Sequence, residues 1–263
     1  MVRELKAKKS LGQNFLHNQD VLHKIIEAGE VTKNDLVVEI GPGKGALTEH
    51  LIKHAGKVIA VEKDPRLVPF LHTIFTSSAQ LEITEGDALQ YQPPKEPYKI
   101  IANIPYYITS PLLTHFLLEQ YEQNNLPQLI VLLIQKEVAQ RICHPNRNSV
   151  LSLSVKIFGT PELIAIVPPS AFKPAPKVDS AIIKISNIQA PLVDNPRKLI
   201  KLIKMASSSP RKKLVNNLAA ALHKEKPEIE ALLKKLQIDS TVRAEKLELE
   251  EWMKLFKEIE RVL

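Results

Sequence analysis

The first two thirds of the chain alternate short apolar runs with longer amphipathic stretches. The apolar runs predict strands at 36–40, 58–61, 81–84, 98–102 and 128–134. Between them, apolar residues recur every three or four positions, and this spacing predicts helices at 18–29, after the glycines of 41–45, at 65–75, at 110–120 and at 136–142. Alternating units of this length are typical of an α/β protein with a parallel sheet that is covered on both faces.

The pattern changes in the last third of the chain. Residues 149–158 and 163–167 are predicted as consecutive strands, and 181–185 as a strand beside them that makes an antiparallel edge. Beyond a linker at 187–195 the pattern is helical throughout, with helices expected at 196–206, 211–224, 227–236 and 248–262. We therefore expect an α/β domain at residues 1–188 and a small all-helical domain at 189–263.

Composition narrows the class of protein. The chain of 263 residues has a single cysteine, Cys143, so it cannot be a scaffold held by internal disulfides. Its apolar runs fall well short of the roughly 18 residues of a membrane span, and its first residues lack the apolar core of a signal peptide. We therefore expect a cytoplasmic protein that does not enter a membrane.

Charge suggests a polyanionic partner. The formal net charge is +7, from 36 basic and 29 acidic residues. The stretch from Arg197 to Lys226 alone contains nine basic residues against one acidic residue, Glu225. Such a concentration is typical of a phosphate-binding surface, although solvated helix faces would show the same pattern.

Candidate binding residues follow the predicted strands, where open α/β sheets bind their ligands. Gly41, Gly43 and Gly45 form a turn that lets backbone approach a ligand at a helix N-terminus, unless the turn is purely structural. Glu62, 21 residues after Gly41, can accept the hydroxyl groups of a ribose. This pair suits a nicotinamide dinucleotide or S-adenosylmethionine equally, and Asp87, which can accept the adenine amine, favours S-adenosylmethionine.

The most specific motif is Asn103-Ile104-Pro105-Tyr106 at the end of the fourth strand. The Asn103 side-chain oxygen and the Ile104 carbonyl can accept the two hydrogens of an exocyclic amine. Pro105 makes the turn rigid, and Tyr106 offers a ring on which a base can stack. The motif indicates a planar amine substrate, which a nicotinamide-dependent dehydrogenase would leave unexplained.

Several motifs together resemble those of the ribosomal RNA adenine dimethyltransferases, in particular the bacterial small-subunit branch. They run through nearly the whole chain, at Lys9–Leu16, Glu39–Gly43, Val61–Asp64, Glu85–Ala88, Ala102–Tyr107, Val167–Phe172, Pro174–Ala181 and Arg243–Leu247. The resemblance implies a Rossmann-like class I methyltransferase fold, with a seven-stranded, mostly parallel sheet and a small helical C-terminal domain. It also implies that S-adenosylmethionine is the methyl donor.

The resemblance assigns roles to residues of this chain. The cofactor residues would be Asn14, Leu16, Gly41, Glu62, Asp87 and Asn103. The target adenine would be held by Asn103, Ile104 and Tyr106, with Phe172 stacked on its other side, although composition alone favours a core or loop aromatic at Phe172. The basic residues Arg211, Lys212 and Lys213 would bind RNA phosphates, in a segment that departs from the family pattern and where Pro210 should interrupt a helix.

The expected reaction is dimethylation of N6 on two adjacent adenines in the 3′-terminal hairpin of small-subunit rRNA, by a monomer acting on an assembling 30S subunit without a metal. Two alternatives stay open. One is a large-subunit methyltransferase of the Erm type. Enzymes of that type often have a lysine at the position of Lys44, but Val167–Phe172 and Asp179 disfavour this alternative. The other is an assembly factor that is mainly non-catalytic.

Overall fold

The computed structural model describes residues 5–262 and contains short strands joined by helices. The strands are β1 (Phe15–Leu16), β2 (Leu36–Ile40), β3 (Lys57–Glu62), β4 (Leu81–Glu85), β5 (Tyr98–Asn103), β6 (Leu129–Gln135), β7 (Thr160–Val167), β8 (Phe172–Lys173) and β9 (Ser180–Ser186). The helices before β7 are α1 (Gln19–Ala28), α2 (Ala46–His54), α3 (Leu67–Ile74), α4 (Thr109–Leu113), a π-helical segment (Thr114–Glu119), α5 (Gln120–Glu122), α6 (Lys136–Ile142) and α7 (Val150–Lys156). The later helices are α8 (Pro196–Ala206), α9 (Leu214–Leu222), α10 (Lys226–Lys235) and α11 (Leu249–Val262).

Seven of the described strands form one sheet in the order β4-β3-β2-β5-β6-β9-β7. The five strands from β4 to β6 are parallel, and β9 runs antiparallel to both β6 and β7. Every residue of β2 is buried, as expected for a strand covered on both faces. The predicted parallel sheet with an antiparallel edge is thereby confirmed.

The prediction of a strand at 149–158 is wrong, because this segment forms the helix α7. Ser149 caps the N-terminus of the helix, and its side-chain oxygen accepts a hydrogen bond from the backbone N–H of Ser152. The sequence from Leu151 to Ile157 alternates apolar and polar residues, and this period-two pattern predicts a strand. The Ser149 cap and the burial of Leu153 decide the outcome in favour of the helix.

The chain divides into two compact units. One unit contains the chain up to Gln140 together with Gly159–Gln189, and the other contains Arg141–Phe158 together with the chain from Ala190 onward. The predicted division into 1–188 and 189–263 therefore differs at 141–158, which belongs to the helical unit. The cause is contact with later parts of the chain: α7 packs against α8, and Asn148 donates hydrogen bonds to the backbone oxygens of Glu245 and Leu247.

The helical unit has its own apolar core. Buried side chains from α8, α9 and α11 form it, including Leu199, Leu218 and Trp252. The interruption predicted at Pro210 is confirmed, since α8 ends at Ala206 and α9 begins only at Leu214, three residues later than predicted. No helix in the described part of the chain is both long enough and apolar enough to cross a bilayer.

Candidate active site

One cavity in the first unit contains every residue that was predicted to bind the cofactor or the target base. Its lining includes Asn14, Leu16, Gly41, Glu62, Asp87, Asn103, Ile104, Tyr106 and Phe172. Most of them come from the carboxyl ends of β2, β3, β4 and β5, as the parallel topology requires. The predicted RNA-binding residues Arg211, Lys212 and Lys213 are exposed in the other unit, in the turn before α9.

The glycine turn after β2 has a conformation that only glycine adopts easily. Gly41, Gly43 and Gly45 have φ angles of 67°, 60° and 84°. A Cβ atom on Gly43 would lie 3.1 Å from the ring of Phe15, and one on Gly45 would lie 2.6 Å from the ring of Phe75. The turn therefore brings bare backbone to the edge of the cavity.

Glu62 ends β3 with its carboxylate fixed by backbone donors. Its Oε2 accepts the N–H of Gly43 at 3.0 Å, and its Oε1 accepts the N–H of Asp64 at 2.8 Å. Burial raises the pKa of Glu62, and the two backbone hydrogen bonds partly offset that effect. Each carboxylate oxygen keeps a further lone pair, so the group can still accept the two hydroxyls of a ribose.

Asp87 lies just after β4, on the same side of the cavity as Lys63. Its Oδ1 accepts the N–H of Leu89 at 3.0 Å, and its Oδ2 lies 2.6 Å from the Lys63 Nζ. The hydrogen bond from Lys63 lowers the pKa of Asp87. An ionised carboxylate only accepts hydrogen bonds, which suits the exocyclic amine of an adenine.

The motif that begins at Asn103 has two acceptors in residues that line the cavity. The Asn103 Nδ2 donates to the carbonyl oxygen of Asn14 at 3.3 Å, which commits the amino side of the amide to the protein and leaves Oδ1 as an acceptor. Among the described residues, no donor binds the carbonyl oxygen of Ile104. Two acceptors in adjacent residues can therefore meet the two N–H bonds of one amine.

Tyr106 is held through both its side chain and its backbone. Its hydroxyl lies 2.7 Å from the Oγ of Ser180, and its carbonyl accepts a hydrogen bond from the Thr109 hydroxyl at 3.0 Å. Burial raises the pKa of Tyr106, so its hydroxyl stays protonated near neutral pH. The ring is thus presented to the cavity in one orientation.

Phe172 and Leu16 belong both to the core and to the cavity wall. They face each other across the antiparallel pair formed by β1 and β8, and each is only 4% exposed. Of the two positions that composition favours for Phe172, core or loop, the structure shows the core, and the residue also lines the cavity. Its stacking on a base stays a prediction.

Glu39 lies one residue before the end of β2, in the motif Glu39–Gly43, and has no predicted role. It is 1% exposed, and neither carboxylate oxygen has a hydrogen-bond partner in the described part of the chain. Burial raises the pKa of Glu39 to about 8, an effect that the nearby Thr48 hydroxyl partly offsets and that Glu62 increases. The signal in the sequence was an acidic residue inside the otherwise apolar run Leu36–Ile40.

These groups fit S-adenosylmethionine. Glu62 suits its ribose, Asp87 its adenine amine, and the bare backbone of the glycine turn allows close approach. The orphaned carboxyl of Glu39 lines the same cavity, and a buried carboxylate is stabilised only by a cation or a donor, both of which the ammonium group of the cofactor supplies. The described residues bring together no cluster of His, Cys, Asp or Glu that could bind a metal ion.

The sheet order, the glycine turn and the carboxylates at the ends of β3 and β4 together define a Rossmann-like methyltransferase fold. The family described as Ribosomal RNA adenine dimethylase matches residues 4–261. The chain therefore belongs to the ribosomal RNA adenine dimethylase family.

Individual relatives agree with this membership. The chain is 43% identical over 259 residues to Ribosomal RNA small subunit methyltransferase A of Dehalococcoides mccartyi strain CBDB1, covering 95% of this chain and 88% of the relative. It is 38% identical to the protein of the same name from Lactococcus lactis subsp. lactis strain IL1403, covering 96% of this chain and 90% of the relative.

Solved structures are similar over the same length. A dimethyladenosine transferase from Plasmodium falciparum has a TM-score of 0.78 at 28% identity, covering 94% of this chain and 98% of that one. The 23S rRNA methyltransferase ErmE has a TM-score of 0.75 at 27% identity, covering 94% of this chain and all of that one. The similarity therefore includes both units of the chain.

Proposed function

We propose that this protein uses S-adenosylmethionine to dimethylate N6 of two adjacent adenines in the 3′-terminal hairpin of small-subunit rRNA, on an assembling 30S subunit. The observation that carries the proposal is the position of the Asn103 and Ile104 acceptors in the same cavity as Glu62 and Asp87. The cavity thereby offers one set of groups for an adenosine cofactor and a second set for an amine substrate.

Alignment and polarity are the protein's contribution to the reaction. The cofactor supplies an electrophilic methyl group on its sulfonium. Asn103 Oδ1 and the Ile104 carbonyl accept the two N–H bonds of the adenine amine, which localises the nitrogen lone pair that is otherwise delocalised into the ring. This arrangement needs no strong base, because the proton leaves after attack, when the nitrogen is cationic.

Reaching the site requires the adenine to leave its stack, at a cost of about a few kcal/mol. Stacking on Tyr106 and Phe172 offsets that cost by about 1–3 kcal/mol for each aromatic contact. The hydroxyl anchor of Tyr106 supports this role, because it fixes the ring before the base arrives. After the first transfer one N–H remains, so the pocket must receive the amine again with a methyl group in place.

We assign the helical unit to RNA binding. Arg211, Lys212 and Lys213 are exposed in a turn that Asn217 fixes, since its Nδ2 donates to the carbonyl oxygens of Ala206 and Ser209. Such residues bind phosphates without reading sequence.

An rRNA substrate also implies a cytoplasmic protein, and we expect the protein to act as a monomer.

The alternative within the same family is a large-subunit substrate, which the structural similarity to ErmE raises. The small-subunit assignment is favoured because relatives at 38–43% identity carry that name, whereas the identity to ErmE is 27%. A non-catalytic assembly factor would not need the paired acceptors at Asn103 and Ile104.

One experiment tests the proposal. Labelled S-adenosylmethionine is offered to unmethylated small subunits, to large subunits and to naked rRNA, and the modified base is mapped. We expect two adjacent dimethyladenines in small-subunit RNA with the wild-type protein, and none with Asn103→Ala, which should still bind the cofactor. Methylation confined to large-subunit RNA would refute the choice of substrate, and full activity of Asn103→Ala would refute the mechanism.

A further inference from the structure

A segment near the N-terminus covers one side of the active-site cavity. We call Leu11–Leu16 the strap, since all six residues line the cavity. Its C-terminal end is fixed by the ladder between β1 and β8. Its middle has a different attachment, through the side chain of Gln13.

Gln13 ties the strap to the turn that follows β3. Its Nε2 donates to the Asp64 Oδ2 at 2.9 Å, and its Oε1 accepts the backbone N–H of Lys8 at 2.7 Å. Asp64 is a rigid anchor, because its fully buried carboxylate also accepts two hydrogen bonds from the guanidinium of Arg66, at 2.9 and 2.6 Å. The backbone N–H of Asp64 in turn binds Glu62, so the anchor and the proposed ribose-binding carboxylate belong to one turn.

Asn14, the residue after Gln13, contacts the side-chain amide of Asn103. The carbonyl oxygen of Asn14 accepts the hydrogen bond from the Asn103 Nδ2. An asparagine amide has one accepting and one donating side, and methyl transfer requires the accepting side to face the substrate amine. The position of the Asn14 carbonyl therefore decides which side of Asn103 faces the cavity.

We propose that Gln13 is a positioning residue for methyl transfer: its hydrogen bond to Asp64 holds the strap where the Asn14 carbonyl keeps Asn103 Oδ1 directed at the substrate amine. The inference rests on the proposed function, since it assigns Asn103 the role of amine acceptor. In this inference Gln13 acts through its hydrogen bond to Asp64. Methyl transfer therefore requires a hydrogen-bond donor at position 13 rather than an acceptor.

Three variants of similar length separate the donor from the acceptor. Gln13→Lys keeps a donor to Asp64, Gln13→Leu removes donor and acceptor, and Gln13→Glu keeps the acceptor for Lys8 but places a carboxylate against Asp64. At saturating cofactor we expect Gln13→Leu to lower kcat by about 10- to 100-fold, the scale set by small misplacements in an active site. Gln13→Lys should stay within about threefold of wild type, and Gln13→Glu should fall to the level of Gln13→Leu or below.

The measurements are kcat, the Kd of S-adenosylhomocysteine, and thermal unfolding of each variant, with the exposed Gln80→Leu as the matched control. Two outcomes would overturn the inference: Gln13→Glu retaining more activity than Gln13→Lys, or Gln13→Leu weakening cofactor binding while kcat at saturation stays unchanged. Failure of the proposed function is separate, because the wild-type protein itself would then leave rRNA adenines unmethylated.

Discussion

Replacing Glu39 by glutamine should remove a stability penalty that grows with pH. The Glu39 carboxyl is buried without a partner in the described structure, and its pKa is raised from 4.5 to about 8. Below pH 4.5 the group is protonated in the folded and the unfolded chain, so it has no ionisation penalty. Between pH 4.5 and about 8 the unfolded chain ionises while the folded chain keeps its proton, and stability falls as pH rises.

The size of the effect follows from that pKa difference. At pH 7 the penalty is about 3 kcal/mol, at 1.36 kcal/mol for each pKa unit between 4.5 and the working pH. Glutamine has a similar size and does not titrate, so the unfolding temperature of the variant relative to that of wild type should rise by about 6–12 °C between pH 4.5 and pH 7.

Thermal unfolding of wild type and Glu39→Gln across pH 4.5–8.5, followed by fluorescence or calorimetry, measures this difference. The exposed Glu85→Gln is the control, and its curve should run parallel to that of wild type. Added S-adenosylmethionine should stabilise wild type more than Glu39→Gln, because its ammonium group pairs with the ionised carboxylate. Parallel pH profiles for wild type and Glu39→Gln would show that Glu39 is not a neutral buried acid, and the reasoning would fail.

Three further predictions concern the exposed lysines before α9, the glycine turn and the α7 cap. Lys212→Ala with Lys213→Ala should weaken rRNA binding and reduce the slope of log Kd against log salt concentration by about 1–2; an unchanged slope would place both residues away from the RNA. Gly43→Ala should lower the free energy of unfolding by about 1–2 kcal/mol, because Gly43 has a positive φ and a Cβ there would approach the Phe15 ring, and it should also weaken cofactor binding. In the control Gly86→Ala, the added Cβ meets nothing within 4 Å, and stability should stay unchanged. Ser149→Ala should cost about 0.5–2 kcal/mol through loss of the α7 cap, while Ser152→Ala, whose buried Oγ has no partner among the described residues, should be neutral in the same assay.

The sequence predicted best what depends on local pattern. Buried strands such as Leu129–Gln135 show as apolar runs, and the carboxyl ends of parallel strands meet at one edge, so the grouping of Glu62, Asp87 and Asn103 could be foreseen. The prediction for residues 149–158 was wrong because their period-two pattern is typical of a strand, whereas Ser149 caps a helix. A single capping hydrogen bond is not visible in hydrophobic periodicity.

Contacts between distant segments were beyond sequence reasoning. The pairing of Leu16 with Phe172 and the hydrogen bond from Gln13 to Asp64 join residues 156 and 51 positions apart, and no local pattern encodes them. Sequence resemblance named Asn14 and Leu16 as cofactor residues without the reason for their position. The structure supplies the reason, because the strap is tied to Asp64 and paired with β8.

Three carboxylates in one cavity show why residue type alone does not decide a role. Asp87 has a lysine partner that lowers its pKa, so it is an acceptor at any working pH. Glu62 is buried, but two backbone N–H groups stabilise its charge, and this fixes its orientation for a ribose. Glu39 has neither kind of partner, and the charge that it cannot hold alone is the one that a cationic cofactor would stabilise. Cofactor binding should therefore release a proton near neutral pH from wild type and not from Glu39→Gln, which calorimetry in buffers of different ionisation enthalpy can measure.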